Sequence, residues 1–162
     1  MAAFVDEFDS ERVHFRGINE TDAPEIVEWR SDPSVYRFFR AAHRITLDEH
    51  LSWYRNNYLT DESRYDWMLI DSAAGLKLGV FGAVRKGNSA EVNYILSPCA
   101  RHKGYAVEGL SRIIQYVRDK WHTDIIIAEI HRDNAPSIAL AERTGFTLES
   151  ESGDFLLYSS EE

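Results

Sequence analysis

The sequence predicts a single α/β domain, and three observations carry that expectation. An extended run, Glu91-Val92-Asn93-Tyr94-Ile95-Leu96, stops at Ser97-Pro98 and gives way to a basic loop. Beyond the loop, Leu110, Ile113, Ile114 and Val117 fall at i, i+3, i+4 and i+7, the spacing of one apolar helix face. Upstream, extended runs 65–71, 77–85 and 91–96 are separated by turn residues, which reads as a meander.

The elements follow in order. Arg12 to Ile18 reads as a first strand. Thr21 or Asp22 caps a helix running to about Trp29, with Pro24 tolerated in its first turn. Asp32-Pro33 breaks it, and a short helical piece follows from Val35 to Phe39. Thr46-Leu47-Asp48-Glu49 is a capping box opening a helix to about Tyr58. Strands Tyr65–Asp71, Lys77–Arg85 and Glu91–Leu96 turn at Ala74-Gly75 and Lys86-Gly87-Asn88. Helix 104–119, strand 124–130, helix 135–144 and two terminal strands, about 146–152 and 154–159, complete the order β-α-α-β-β-β-α-β-α-β-β.

At 162 residues, with no repeat, low-complexity tract or linker, residues 1–162 fit one domain with a real core. Net charge is −9, from 27 acids against 18 bases, which argues against a nucleic-acid partner. It is compatible with a cationic acceptor, but reads first as a negative surface that keeps a protein dispersed. No apolar run reaches membrane-spanning length, and Met1 to Ser10 carries acids rather than the basic start of a signal peptide, so neither membrane nor leader is expected. A lone cysteine, Cys99, fits a reducing cytoplasm and reads as a loop residue rather than a nucleophile. The six histidines show no zinc spacing, so no metal is expected.

The loop Arg101-His102-Lys103-Gly104-Tyr105-Ala106 sits at the start of a helix, where free backbone N–H groups and the helix dipole favour an anion. Gly104 allows close backbone approach, and three basic residues add charge. A pyrophosphate is the natural ligand. This Arg-x-x-Gly-x-Ala stretch resembles the acyl-CoA-binding signature of the GNAT superfamily of N-acetyltransferases. Asn134-Ala135-Pro136-Ser137-Ile138-Ala139-Leu140-Ala141-Glu142-Arg143-Thr144-Gly145-Phe146 is similar to that family's last conserved helix and the Gly-Phe after it. The resemblance covers nearly the whole chain. It implies the GNAT fold: a mixed sheet flanked by helices, with strand 91–96 splayed from strand 124–130 and the cofactor in the gap.

What the resemblance implies for chemistry is direct transfer of acetyl from acetyl-CoA to a primary amine. Backbone groups of Ile95 and Leu96 would pair with the pantetheine arm, and one of their N–H groups would face the thioester oxygen. Amides from His102 to Ala106 would hold the pyrophosphate. Asn134 would meet pantetheine or phosphate, with Ser137 one turn along; both also suit plain helix-start roles. Glu91 matches a glutamate that acts as base in related enzymes, directly or through water, and also reads as an ordinary strand-end acid. Ala141 stands where many members carry the tyrosine that protonates the leaving thiolate, so another group, a water or no donor must serve.

The acceptor site of this fold is built by the helices after the first strand. Trp29-Arg30, Asp32-Pro33, His43 and Glu49-His50-Leu51 look like the branch that acetylates nucleotide-linked amino sugars. Trp29, Arg30, His43 and His50 are the substrate candidates, although each also suits a structural place. Arg37, Arg40 and Arg44 could meet a diphosphate, and Phe38 or Trp53 could stack on a base or sugar. Glu91-Val92-x-Tyr94 and Gly104-Tyr105-Ala106-x-Glu108 are shared with the ribosomal-protein N-terminal type. An acyl-CoA sensor without turnover and a detoxifying enzyme acting on a polyamine or antibiotic are further classes. Partners are thus a small-molecule or peptide amine; a homodimer is compatible with the sequence, which carries no signal for oligomeric state.

Overall fold

The computed structural model describes residues 5–161. Residues 1–4, part of the segment read above for a leader, and residue 162 lie outside the described residues. Strands β1 (Phe8–Asp9) and β2 (Val13–Gly17) are followed by helices α1 (Ala23–Arg30), α2 (Pro33–Tyr36) and α3 (Leu47–Asn56). The meander is β3 (Arg64–Asp71), β4 (Lys77–Lys86) and β5 (Ser89–Leu96). Helix α4 (Tyr105–Trp121), β6 (Ile125–His131), α5 (Ala135–Arg143), β7 (Thr147–Ser152) and β8 (Phe155–Glu161) complete the chain. The expected order holds, with one addition: the two-residue β1 pairs antiparallel with β2.

One sheet runs β1-β2-β3-β4-β5-β6-β8-β7. All neighbours are antiparallel except β5 and β6, which are parallel. Their pairing is brief: Ser89, Ala90 and Glu91 face Ile125, Ile126 and Ile127, and nothing pairs beyond. The splay expected from the resemblance is therefore present, and β5 from Val92 onward is bonded on its β4 edge alone.

Each sheet face carries a core. Helices α4 and α5 cover one face: Leu110, Ile113, Ile114 and Val117 of α4, at the spacing read from the sequence, pack with Phe15, Trp67, Leu69 and Phe81. Each such side chain contributes about 1.5–3 kcal/mol on burial. Gly109 permits this approach, since a Cβ there would sit 2.7 Å from Leu69 Cδ2 and 2.9 Å from Phe81 Cε2. On the other face, Ile18, Ile26, Trp29, Tyr54, Tyr58 and Met68 form a second cluster beneath α1 and α3.

Three local expectations need correction. Asp22 stands at the N-cap position of the first helix, but its side chain makes no cap bond there. Asn19 caps a 3₁₀ turn at Glu20–Asp22: its side chain accepts from the Thr21 amide at 2.9 Å, and Asp22 accepts from the Asn19 amide at 3.0 Å. Asp22 is instead fully buried and clamped by Arg16 at 2.8 and 2.9 Å and by Lys77 at 2.9 Å. Burial alone would raise its pKa, but the bonds from Arg16, Asn19 and Lys77 outweigh that and lower it. The second helical piece starts earlier, because Asp32 caps it with Pro33 in its first turn, and it ends at Tyr36. Helix α3 is capped by Thr46, whose hydroxyl accepts from the Glu49 amide at 3.1 Å, and it stops at Asn56 before a 3₁₀ turn.

Candidate active site

Three structures meet around the open edge of β5: a loop, a gap and a cavity. The loop connects β5 to α4. Gly104, at φ +82°, is the N-cap of α4 and brings no side-chain acceptor, so the first-turn amides are not claimed by a cap. His102 is also left-handed, at φ +62°, a strained choice for a non-glycine residue. The side chains of His102 and Lys103 are exposed and that of Arg101 is half-buried.

A residue from the first strand region, Arg12, braces this loop. Its guanidinium donates to Lys103 O at 3.0 Å and to Glu108 at 2.8 Å, and lies 4.3 Å from the centre of the Tyr105 ring. Burial would raise the Glu108 carboxyl, but bonds from Ser10 and Arg12 outweigh it and hold it below its ordinary range. Tyr105 in turn donates its hydroxyl to Asp71 at 2.7 Å. Arg12 lies 91 residues from Lys103 in the chain, and no local pattern marks it.

The gap lies between β5 and α5. Ser97 N–H donates to Leu78 O at 2.8 Å, so alternation along this antiparallel ladder turns the amides of Asn93 and Ile95 toward β4. By the same alternation the amides of Tyr94 and Leu96 face the gap. Across it, Asn134 caps α5, accepting from the Ser137 amide at 3.4 Å. The Tyr94 hydroxyl meets the Ser137 hydroxyl at 2.9 Å. Ala141, one turn further along α5, is buried.

The cavity, about 230 Å³, lies on the opposite sheet face. It is lined by Arg30 of α1, His50 and Trp53 of α3, the Arg64–Asp66 pair of β3, and Asn93, Tyr94 and Ile95 of β5. Arg64 Nε donates to Asp66 at 2.7 Å. His50 is 4% exposed, and its Nδ1 has no hydrogen-bond partner; Arg30 Nε is likewise buried without one. Burial first, then the charge of Arg30, pushes the His50 pKa down, so the imidazole is neutral at neutral pH. The lining thus holds two guanidinium cations against one carboxylate. Gly82 keeps it open: a Cβ there would fall 2.2 Å from Asp66 Oδ1 and 3.0 Å from Asn93 Oδ1.

Of the substrate candidates read from sequence, the structure brings Arg30 and His50 into this cavity and leaves two elsewhere. Trp29 is buried in the second core cluster, because its position on α1 faces the sheet. His43 is exposed on the segment before α3, with Nδ1 against Arg44 O at 2.7 Å. Arg40 pairs with Glu129, at 2.8 Å for one of its two bonds, and Arg37 lies over Phe38 at 4.4 Å. Glu91 forms an ion pair with Lys86 and does not line the cavity. Sequence reasoning missed Arg64, Asp66 and Asn93. Asp66 had left a signal: it is the one acid between Tyr65 and Ile70 in an otherwise apolar strand. Among the described residues, no group of three or more His, Cys, Asp or Glu is placed to hold a metal ion. No helix among them is long and apolar enough to cross a membrane.

A mixed sheet split at its centre, a basic loop at a helix start and a cavity against the split define an acyltransferase class. Residues 12–147 match the family model described as "Acetyltransferase (GNAT) domain", and the chain belongs to this family of acetyltransferases. Among curated proteins it is similar to "Acetyltransferase PseH" of Campylobacter jejuni, 24% identical over 143 residues, covering 88% of this chain and 87% of that one. It is also similar to "N-acetyltransferase 9-like protein" of Nematostella vectensis, 27% identical over 150 residues, covering 84% and 75%. Among solved structures, the spermidine N-acetyltransferase of Vibrio cholerae in complex with CoA and spermine superimposes with a TM-score of 0.83 at 18% identity, covering 93% of this chain and 95% of that one. That likeness is one of fold.

Proposed function

We propose that this protein transfers acetyl from acetyl-CoA directly to the primary amine of a small molecule seated in the cavity, and that the acceptor is a nucleotide-linked amino sugar. The observation that carries the reading is that Asn93, Tyr94 and Ile95 line the cavity on the same stretch of β5 that has lost its β6 partner. A pantetheine arm lying in the gap as an added strand would bring its thioester to that stretch, beside whatever fills the cavity. Effective concentration then supplies much of the rate.

The roles follow from placement. The amides of His102 to Ala106, with the charges of Arg101, His102 and Lys103, hold the pyrophosphate. Of the two residues expected, Leu96, whose amide faces the gap, is the oxyanion donor; the Ile95 amide is turned to β4, so Ile95 only lines the cavity. Asn134 meets the arm from the start of α5. Glu91, which pairs with Lys86 and does not line the cavity, takes the amine's proton through water. Two cations over one acid suit an acceptor carrying phosphate near its amine, and Trp53 offers a stacking face. A polyamine or aminoglycoside would meet repulsion there. PseH, among the similar proteins, is an acetyltransferase by name, and its likeness supports the catalytic class. The ribosomal-protein N-terminal reading keeps its sequence support, but a peptide has no need of a cation-lined cavity.

The test is thiol release from acetyl-CoA with four acceptor classes: nucleotide-linked amino sugars, peptides with free N-termini, polyamines and aminoglycosides. Turnover on the sugars alone is expected. Turnover confined to peptides or polyamines would overturn the acceptor assignment.

A further inference from the structure

Resting on the reading that acetyl-CoA is the donor, we propose that the Tyr94 hydroxyl is the group that protonates the departing thiolate. Ala141 cannot do so. Tyr94 stands on β5 three residues past the last β6 pair, with its side chain on the α5 side of the sheet, packed on Phe81 at 5.1 Å between ring centres. Its hydroxyl reaches Ser137 at 2.9 Å and so spans the gap where the thioester would lie.

The helix geometry points to the same place. Ser137 and Ala141 are four residues apart on α5 and share one face. Side chains on a helix lean toward its N-terminus, so a long residue at 141 would put its tip over the turn that holds Ser137. Ala141 stops at Cβ, and the phenol of Tyr94 delivers a hydroxyl to that turn from the strand. Burial raises the Tyr94 pKa despite the bond to Ser137, which keeps the phenol protonated. A thiolate forming in the same dry gap is penalised by the same desolvation, so donor and acceptor stay matched.

The step balances. The amine lone pair forms the C–N bond and the carbonyl pair moves to oxygen. Collapse restores the carbonyl and breaks the C–S bond, the pair going to sulfur, while the phenol proton passes to sulfur. The phenolate recovers a proton from water through Ser137. The proton lost by the amine goes to Glu91 and then to solvent, leaving amide and free thiol.

Tyr94→Phe removes only the hydroxyl. We expect its turnover number to fall about 10²-fold while acetyl-CoA affinity, by calorimetry, stays within about twofold. A fluorinated, more acidic tyrosine at position 94 keeps the bond to Ser137 and should move the alkaline limb of the pH–rate profile to lower pH. The slow hydrolysis of acetyl-CoA, in which water replaces the amine, gives the same readouts without an acceptor. Retained turnover in Tyr94→Phe, loss of acetyl-CoA binding, or an unmoved alkaline limb would each overturn the assignment. A parent protein that hydrolyses acetyl-CoA yet acetylates no amine tested overturns the acceptor reading alone; one that releases no thiol at all overturns both.

Discussion

Gly104→Ala tests the pyrophosphate loop with a magnitude that follows from one dihedral angle. At φ +82° the residue occupies the left-handed region, where an L side chain costs roughly 1–2 kcal/mol. Space is not the obstacle: the nearest atom to an added Cβ is Arg12 Nη2 at 3.4 Å, an ordinary contact. The cost is conformational, and it must appear somewhere. If the free loop relaxes to a right-handed turn, binding has to restore the original shape. CoA affinity then falls about 5- to 30-fold, since each 1.4 kcal/mol is tenfold. If Arg12 and the Tyr105–Asp71 bond hold the loop in place, the strain stays in the unliganded fold. The melting temperature then drops by roughly 2–8 °C and affinity changes little. Calorimetric titration with CoA and a thermal melt of the same sample read the two shares, which should sum to the backbone cost. An affinity within twofold together with an unchanged melting temperature would refute both the strain argument and the loop assignment.

Other expectations test the core, the cavity and the buried charges. Gly109→Ala drives a methyl to within 3 Å of Leu69 and Phe81, so overpacking should cost about 1–3 kcal/mol in urea titration; an unchanged midpoint would mean that α4 slides freely on the sheet. Arg30→Met should raise the acceptor KM while leaving CoA affinity alone. Because burial and the charge of Arg64 penalise the Arg30 guanidinium more than Asp66 favours it, stability should hold or rise. A fall in CoA affinity instead would place Arg30 in the cofactor site. His50→Gln isolates a proton linkage. The folded His50 pKa lies below the unfolded value of about 6.5, so its share of stability is present above that value and is lost as pH falls beneath it. Urea titrations at pH 7.5 and pH 5 should show the parent losing more stability than the variant, and parallel losses would exclude His50 as the source. Asp22→Asn removes the shared partner of Arg16 and Lys77 and should destabilise by about 3–5 kcal/mol, read by the same titration.

The sequence carried the architecture where the signal was periodic, and lost it where the signal was tertiary. Helix α4 and its buried face were legible because Leu110, Ile113, Ile114 and Val117 repeat at helical spacing. The strand, loop and helix around Gly104 were legible because turn residues and charge lie side by side in the chain. Strand β1 was invisible: two residues, Phe8 and Asp9, cannot establish a period. Asn19, Thr21 and Asp22 all suit capping within four positions; Asp22 does hold the N-cap position of α1, but burial against Arg16 and Lys77 takes up its side chain, and Asn19 caps the 3₁₀ turn before it. The cavity was legible only in part. Arg30 and His50 stood out as local chemistry, but Arg64, Asp66 and Asn93 join them through the pairing of β3, β4 and β5. Arg12 and the Tyr94–Ser137 contact bridge 91 and 43 residues respectively, distances at which no sequence pattern speaks.

The brief pairing of β5 with β6 gives this sheet an internal edge. Unpaired strand edges are normally an outer liability, open to a neighbouring molecule's strand and so to aggregation. Here the exposed amides of Tyr94 and Leu96 lie inside the molecule, flanked by α5 on one side and by the continuing sheet on the other. An arm with amides of its own, laid along this edge, would complete the ladder that β6 leaves unfinished. Exchange of these two amides with deuterated solvent should be fast in the free protein and slow once an arm has filled the slot.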